Sequence, residues 1–374
     1  MVLDAWDDAA NGGVVSTRRF TALLRARGHT VTVITTGAPE PGKVVLPSFF
    51  VPVAGNVMRK MRFPFAWPSR RVLTETLSRQ DVVHVQFPFY LGMRAVAIAR
   101  RLGVPVVSTF HVQAEHLLYN VGLRSEVWVN RVYRLFLRTV YDRCARVVCP
   151  SPFAEAELRS HGLRAPTCII SNGVPPEFSL QPHIRRPPWA DRFVVLSVGR
   201  LAREKRHDLL IEAIHRSPHQ ERIQLVILGD GPLREELAAQ GRRLANPPVF
   251  GFVAAPELVH YFAAADLCVH ASEVEVEGMS VLEAMTCGLP CLIARSSRSA
   301  TPQFALSNDF LFRSGDVVDL GAKLDRWLNA PAELAEARAA SARQVAGYGI
   351  EHSADRLLAL YRAVSTPDED EGAP

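Results

Sequence analysis

Short runs of Val, Ile and other apolar residues recur along the chain, and between them apolar positions return at three- and four-residue intervals. The runs at 31–36, 82–87, 104–110, 146–150 and 167–171, then at 193–198, 223–228, 267–270 and 291–294, are mostly apolar throughout instead of alternating. That is the pattern of parallel strands covered on both faces. The intervening stretches 14–27, 93–102, 126–142, 207–216 and 233–244 carry helical periodicity. Strand and helix in alternation predict right-handed crossovers and doubly wound α/β sheets.

The alternation breaks once. Residues 174–191 hold Pro175, Pro176, Pro182, Pro187 and Pro188, with Arg185-Arg186 among them, and this density stops both helix and strand. With 374 residues to bury, two cores are expected. We therefore expect domains at 1–180 and 193–348 joined by a linker at 181–192, the other reading being a long surface loop within one domain. A helix at 349–364 follows, and the acidic, apolar-poor residues 365–374 read as a frayed tail. Residues 1–5 are short for a first strand, so either the sheet opens with a stub or the natural start lies upstream.

Composition narrows the class. Hydrophobic residues at 48% and charged residues at 22% exclude wholesale disorder. No apolar run reaches the ~18–20 residues of a membrane span, and no basic-then-apolar leader opens the chain. Cys144, Cys149, Cys168, Cys268, Cys287 and Cys291 form no C-x2-C pair, which speaks against zinc or a disulfide framework and for a reducing cytoplasm. The net charge of +5 is uneven: residues 1–180 carry 22 Lys and Arg against 12 Asp and Glu, residues 181–374 carry 21 against 26. A basic half fits an anionic partner, be it nucleic acid, phospholipid or a phosphorylated substrate. An arginine-rich genome would give the same count.

Five segments bear chemistry. Asn11-Gly12-Gly13 precedes a helix, where a tight turn and helix amides suit a phosphate; a plain capped turn fits the same residues. Gly199-Arg200 through Lys205 follows a buried strand, where open α/β sheets place ligands and where Arg200 and Lys205 can grip phosphate oxygens. Gly229-Asp230-Gly231-Pro232 reads as an ordinary turn. Glu275 and Glu283 stand eight apart around Gly278-Met279-Ser280. On one unbroken helix they would differ by ~80° and ~12 Å, whereas with Glu275 on the preceding loop they can flank one elongated polyhydroxy ligand. Three acids at one helix start would also suit the helix dipole. His111 ends a strand, a place that raises the odds of a functional over a structural histidine.

Taken together, Asn11-Gly12-Gly13, Gly28-His29-Thr30-Val31, Ser171-Asn172-Gly173-Val174, Gly199-Arg200 with Lys205, and Glu275 to Glu283 followed by Gly288-Leu289-Pro290 resemble the retaining nucleotide-sugar glycosyltransferases of family 4. The resemblance runs from about Asn11 to Tyr361. Four stretches resemble, more narrowly, bacterial diacylglycerol glucosyltransferases: His84-Val85-Gln86-Phe87-Pro88-Phe89, Thr109-Phe110-His111-Val112-Gln113, Glu273 to Ser280 and Ser299 to Leu306. The resemblance implies a GT-B fold, two Rossmann-like doubly wound parallel-sheet lobes facing a cleft, with the final helix returning to the first lobe. It implies a hexose moved from a nucleotide sugar, UDP-glucose above all, to a lipid such as diacylglycerol. Phosphatidylinositol, polysaccharide or small-molecule acceptors with GDP- or UDP-sugars are the alternative. The Gly13 amide, Arg200 and Lys205 would hold the diphosphate, Gly278, Met279 and Ser280 would line the donor, Glu283 would bind the ribose, Glu275 the sugar, and His111 would contact that sugar. No cofactor, metal or nucleic acid is expected. A nucleotide- or nucleic-acid-binding protein without catalysis is the non-enzyme reading.

Two stretches suggest a membrane partner. From Met58 to Arg71, the cations Arg59, Lys60, Arg62, Arg70 and Arg71 interleave with Met, Phe and Trp. Arg131, Arg134, Arg138, Arg143 and Arg146 accompany Val132, Tyr133, Phe136 and Tyr141 on a helical pattern. Cations with interfacial aromatics fit peripheral attachment to the anionic inner face of a membrane; a solvated loop with a core helix is the plainer alternative.

Overall fold

The computed structural model describes residues 1–49, 63–120, 122–123, 125–184 and 188–366. The chain forms two units: Met1–Asn172 together with the C-terminal helix Ile350–Ser365, and Gly173–Gly349. Among the described residues, no helix is long and apolar enough to cross a membrane.

The first unit holds strands β1 (Val33–Thr35), β2 (Lys43–Val45), β3 (Ser48–Phe49), β4 (Phe65–Ala66), β5 (Val83–Val85), β6 (Val106–Thr109), β7 (Arg146–Cys149) and β8 (Thr167–Ile169). Its helices are α1 (Gly12–Ala26), α2 (Arg70–Leu77), α3 (Tyr90–Arg101), α4 (Ala114–Asn120), α5 (Glu126–Thr139) and α6 (Pro152–Ser160). Strands β5 to β8 run parallel in chain order, and β1 pairs parallel with β2. Val2 bridges Ile34 on one side and Val85 on the other, so the amino end lies between β1 and β5 as a one-residue strand. It is pinned there by Val2 N–H to His84 O at 2.8 Å and by Gln86 N–H to Val2 O at 2.9 Å. The spatial order β2, β1, Val2, β5, β6, β7, β8 reverses direction at Val2. Beneath the sheet, Phe20, Val107, Val148 and Ile170 pack against Ile350, Ala354 and Leu357 of the C-terminal helix. Arg27 at the end of α1 pairs with Glu351 and, at 2.7 Å, with Asp355.

The second unit is one parallel sheet of β9 (Phe193–Val198), β10 (Ile223–Leu228), β11 (Val249–Gly251), β12 (Leu267–His270), β13 (Cys291–Arg295) and β14 (Leu311–Arg313). Its helices are α7 (His207–Arg216), α8 (Arg234–Gly241), α9 (Ala255–Ala264), α10 (Met279–Thr286), α11 (Val317–Leu328) and α12 (Pro331–Gln344). All six residues of β10 are buried because both faces are covered. Leu225 and Ile227 meet α7 and α11, while Val226 and Leu228 meet α9 and α10. The order β11-β10-β9-β12-β13-β14 reverses between β9 and β12, and a crevice opens at the carboxyl ends of strands where such an order reverses.

The proline-rich stretch begins inside the second unit. Val174 N–H bonds Tyr348 O at 2.7 Å, Phe178 is buried beside Phe262, and Ile184 N–H bonds Ala263 O at 3.1 Å. Apolar side chains therefore hold residues 173–184 on this unit. Arg185, Arg186 and Pro187 of the expected linker, and the tail from 367, lie outside the described residues.

Candidate active site

At the reversal of the second sheet, Gly199 (φ 156°) follows β9 and the chain turns through Arg200, half-buried, into a short turn ending at Lys205. Gly229 and Gly231 explain their own motif: a Cβ at 229 would lie 1.9 Å from Gly199 O, and at 231 it would lie 2.5 Å from Leu201 O. These glycines bring two loops together by their backbones. Arg206 then takes a left-handed conformation (φ 52°) and caps α7. After β12, the loop carrying the acids is tied to the Lys205 turn by Glu273 N–H to Glu204 O at 2.9 Å. It is tied to the next loop by Ala300 N–H to Glu275 O at 2.9 Å.

These ties bring Lys205 Nζ onto Glu275 Oε1, the oxygen that His270 Nε2 approaches at 3.1 Å. Beside them Arg206 grips Glu273. Burial alone would raise the Glu275 carboxyl, but Lys205 and His270 overcome it and hold the group well below the usual carboxylate range. Gly278 (φ 98°) starts α10, and a Cβ there would strike Thr301 Cγ2 at 2.2 Å, so only glycine fits. Val281 and Leu282 make the first intrahelical bonds of α10, to Gly278 O, so the amides of Met279 and Ser280 head the helix. Glu283, buried, lies one turn on. The structure thus brings Arg200, Lys205, Glu275, Gly278, Met279, Ser280 and Glu283 into one unit around one sheet reversal.

Gly13 and His111 belong to the first unit, and they touch. A Cβ on Gly13 would lie 3.1 Å from His111 Cβ and 3.0 Å from Phe87 Cε1, so glycine lets α1 abut the histidine. The Gly13 amide donates to Asn11 Oδ1 at 3.0 Å, the cap that accounts for the glycine turn locally. His111 Nε2–H donates to Gln86 Oε1 at 3.0 Å, and burial lowers the ring to about 4, so it is neutral at pH 7.

Several residues had no role in the sequence reading. His270 and Arg206 flank the acids. Gln86 and His84 stand two apart on one face of the β5 line, facing His111 and Thr109 on the β6 line. Polar residues at a two-residue interval in buried parallel strands were the available signal.

The helical stretch read as membrane-facing needs a correction. Tyr133, Phe136 and Tyr141 are core residues, 0%, 4% and 0% exposed: Phe110 packs against Tyr133 and Tyr141, and Phe89 against Phe136. The outer face of α5 instead shows Val127, Trp128 and Leu135, 58%, 47% and 48% exposed, with Arg131, Arg134 and Arg138 along the same stripe. Of the other stretch, Met58 to Arg62 lie outside the described residues, Phe63 is buried, and Trp67, Arg70 and Arg71 are exposed.

Residues 10–178 match the model of the family described as Glycosyltransferase Family 4, and residues 183–345 that of Glycosyl transferases group 1. An alpha-monoglucosyldiacylglycerol synthase of Streptococcus pneumoniae is 25% identical over 312 residues, spanning 77% of this chain and 69% of that protein. A GDP-mannose-dependent alpha-mannosyltransferase of Mycobacterium tuberculosis is 27% identical over 384 residues, spanning 97% of this chain and 96% of that protein. Among solved structures, Anabaena Alr3699/HepE in complex with UDP and glucose shares the fold, with a TM-score of 0.74 at 18% identity over 97% of this chain and 99% of that one. With both matches in sequence and a Rossmann strand order in each unit, the chain belongs to the family-4 glycosyltransferases, enzymes of the GT-B fold that transfer a sugar from a nucleotide sugar.

Proposed function

We propose that the enzyme moves glucose from UDP-glucose to a diacylglycerol-like lipid at an anionic membrane surface. The donor half of this reading is carried by the Lys205–Glu275–His270 cluster at the sheet reversal. Arg200, Lys205 and the leading amides of α10 hold the diphosphate, and Glu283 takes the ribose hydroxyls. Glu275 binds the transferred sugar and His111 contacts it. Gly13 offers its amide to the diphosphate in exchange for the Asn11 oxygen.

An acceptor hydroxyl oxygen bonds to the anomeric carbon as the bond from that carbon to the β-phosphate oxygen breaks. The hydroxyl proton passes to the departing phosphate, and the anomeric configuration is retained. Charge grows on the leaving diphosphate, so cations already fixed near it lower the barrier without reorganising. Glu275 supplies that fixity by holding Lys205 in place before the donor arrives.

The lipid half rests on the outer face of α5, where Val127, Trp128 and Leu135 alternate with Arg131, Arg134 and Arg138. Each surface cation contributes ~1 kcal/mol near anionic lipid, so this face supports reversible attachment. The name of the Streptococcus pneumoniae relative supports the same acceptor. The near full-length mannosyltransferase relative favours a second reading, with GDP-mannose as donor.

The protein is incubated with radiolabelled UDP-glucose or GDP-mannose and diacylglycerol in anionic vesicles. The expected outcome is labelled lipid from UDP-glucose. Label from GDP-mannose alone would favour the second donor, and unlabelled lipid in both arms would overturn the lipid acceptor.

A further inference from the structure

Four side chains of the first unit form two cross-strand pairs beneath the α1 turn. His84 and Gln86 extend along one strand line, Thr109 and His111 along the next. His84 Nε2 and Thr109 Oγ1 are 2.7 Å apart, and His111 Nε2 lies 3.0 Å from Gln86 Oε1. The other nitrogen of His84 meets Tyr361 OH of the C-terminal helix at 2.6 Å. His84, Gln86 and Thr109 are 4%, 3% and 5% exposed, so the His84–Thr109 bond is shielded from water, while His111 is half-buried. The Gln86 amide has a fixed sense, because its NH2 donates to Met1 Sδ at 3.4 Å and leaves the carbonyl oxygen for His111.

An amide oxygen can only accept, so the bond to Gln86 requires the proton of a neutral His111 on Nε2. Nδ1 then carries a lone pair. We propose that Gln86 is a positioning residue, selecting the His111 tautomer in which Nδ1 accepts a hydrogen bond from a hydroxyl of the bound sugar. The proposal rests on the reading of His111 as a sugar contact and adds which nitrogen serves and what holds it. His111 cannot swing away easily: the Gly13 backbone crowds one side and the Phe87 ring stands 6.1 Å from its own. His84, the titratable neighbour on the adjoining strand, is kept uncharged by burial. Burial is likewise what keeps His111 uncharged. The arrangement is the kind by which a second group fixes the ring nitrogen that acts.

Nitrogen-15 NMR of the histidine rings in the full-length protein reads the tautomer directly, with the His111 signals assigned by their loss in His111→Ala. The wild type should show a neutral His111 protonated on Nε2, Gln86→Met should show mixed tautomers, and Gln86→Glu should restore the Nε2 proton. Gln86→Met should lower kcat roughly 10- to 100-fold, with donor KM changed far less. Gln86→Glu should recover activity at alkaline pH while moving the acid limb of the pH–rate profile upward, since a carboxylate stabilises the imidazolium. A wild-type proton on Nδ1, or a Gln86→Met enzyme with unchanged tautomer and kcat, overturns the proposal. So does a further kcat loss when Gln86→Met is added to His111→Ala, because Gln86 would then act elsewhere. Full activity of His111→Ala, by contrast, would remove the reading of His111 itself while leaving the NMR result standing.

Discussion

The two units share a strand order and differ in how their sites are charged. In each, the third and second strands lead to the first, and the fourth stands on its other side, so ligand-facing loops leave the sheet at the same reversal. The second unit builds its reversal on a six-residue strand, the first on the single bridging residue Val2. At the second unit's reversal the groups are ionic: Lys205 and His270 on Glu275, and Arg206 on Glu273 and Asp208. At the first unit's they are neutral: His111 on Gln86, His84 between Thr109 and Tyr361, and Ser16 on Asn172 at 2.7 Å. The fold supplies the position and the residues supply the chemistry. Fixed cations suit a departing diphosphate, whereas a hydroxyl is oriented by neutral donors and acceptors.

The largest expected effect tests the ionic side. Lys205→Ala should lower kcat by about 10²–10³, the usual loss when one fixed donor to a developing charge is removed. A loss under about tenfold would break the assignment of charge stabilisation to this unit. Glycine substitutions come next and separate packing from chemistry. Gly278→Ala puts a Cβ 2.2 Å from Thr301 at a left-handed position and should cost roughly 1–3 kcal/mol by chemical denaturation. Gly13→Ala meets the His111 ring at 3.1 Å and should impair turnover more than stability. Equal stability losses in the two variants would erase that distinction.

Acid titration of stability is a third test. His84, His111 and His207 are all held below the ordinary 6.5 by burial, the last two to about 4. Their unfolded forms take up protons first as pH falls, so the stability they contribute is complete above about 6.5 and is lost toward pH 4. For the buried His207 alone that amounts to roughly 3 kcal/mol. The Glu275 contribution is present above its ordinary 4.5 and is lost only below it. The urea midpoint should therefore fall more steeply from pH 7 to pH 4 in the wild type than in His207→Gln, whose side chain does not titrate. The buried Asp4 carboxyl, raised to about 7, works the other way in both. Equal slopes would contradict the neutral His207. The smallest effect is at the surface. Trp128→Ser should weaken sedimentation with anionic vesicles several-fold and leave turnover of a soluble acceptor unchanged. Unaltered sedimentation would detach the α5 face from membrane binding.

Much of this was legible in the sequence. Strands such as β9 and β10 are long and apolar but for Ser197 and Gln224, so their boundaries stand out. The three-residue strands β2, β11 and β14 are too short to show a period. The acids Glu275 and Glu283 and the cations Arg200 and Lys205 were legible because charged residues beside buried strands ask for a reason. What the sequence hid was pairing. That Lys205 rests on Glu275 and not in solvent, and that the Gly13 amide is already capped, depend on loops tied together over 70 positions or on local cap geometry. The outward side of α5 was not legible because Tyr133 and Phe136 look interfacial until they are seen buried against Phe110 and Phe89.

Calorimetric titration of UDP into the wild type, Lys205→Ala and His111→Ala tests the division of labour most directly. The account predicts that Lys205→Ala binds at least roughly tenfold more weakly while His111→Ala binds like the wild type. Wild-type affinity in Lys205→Ala, or a loss confined to His111→Ala, would contradict it.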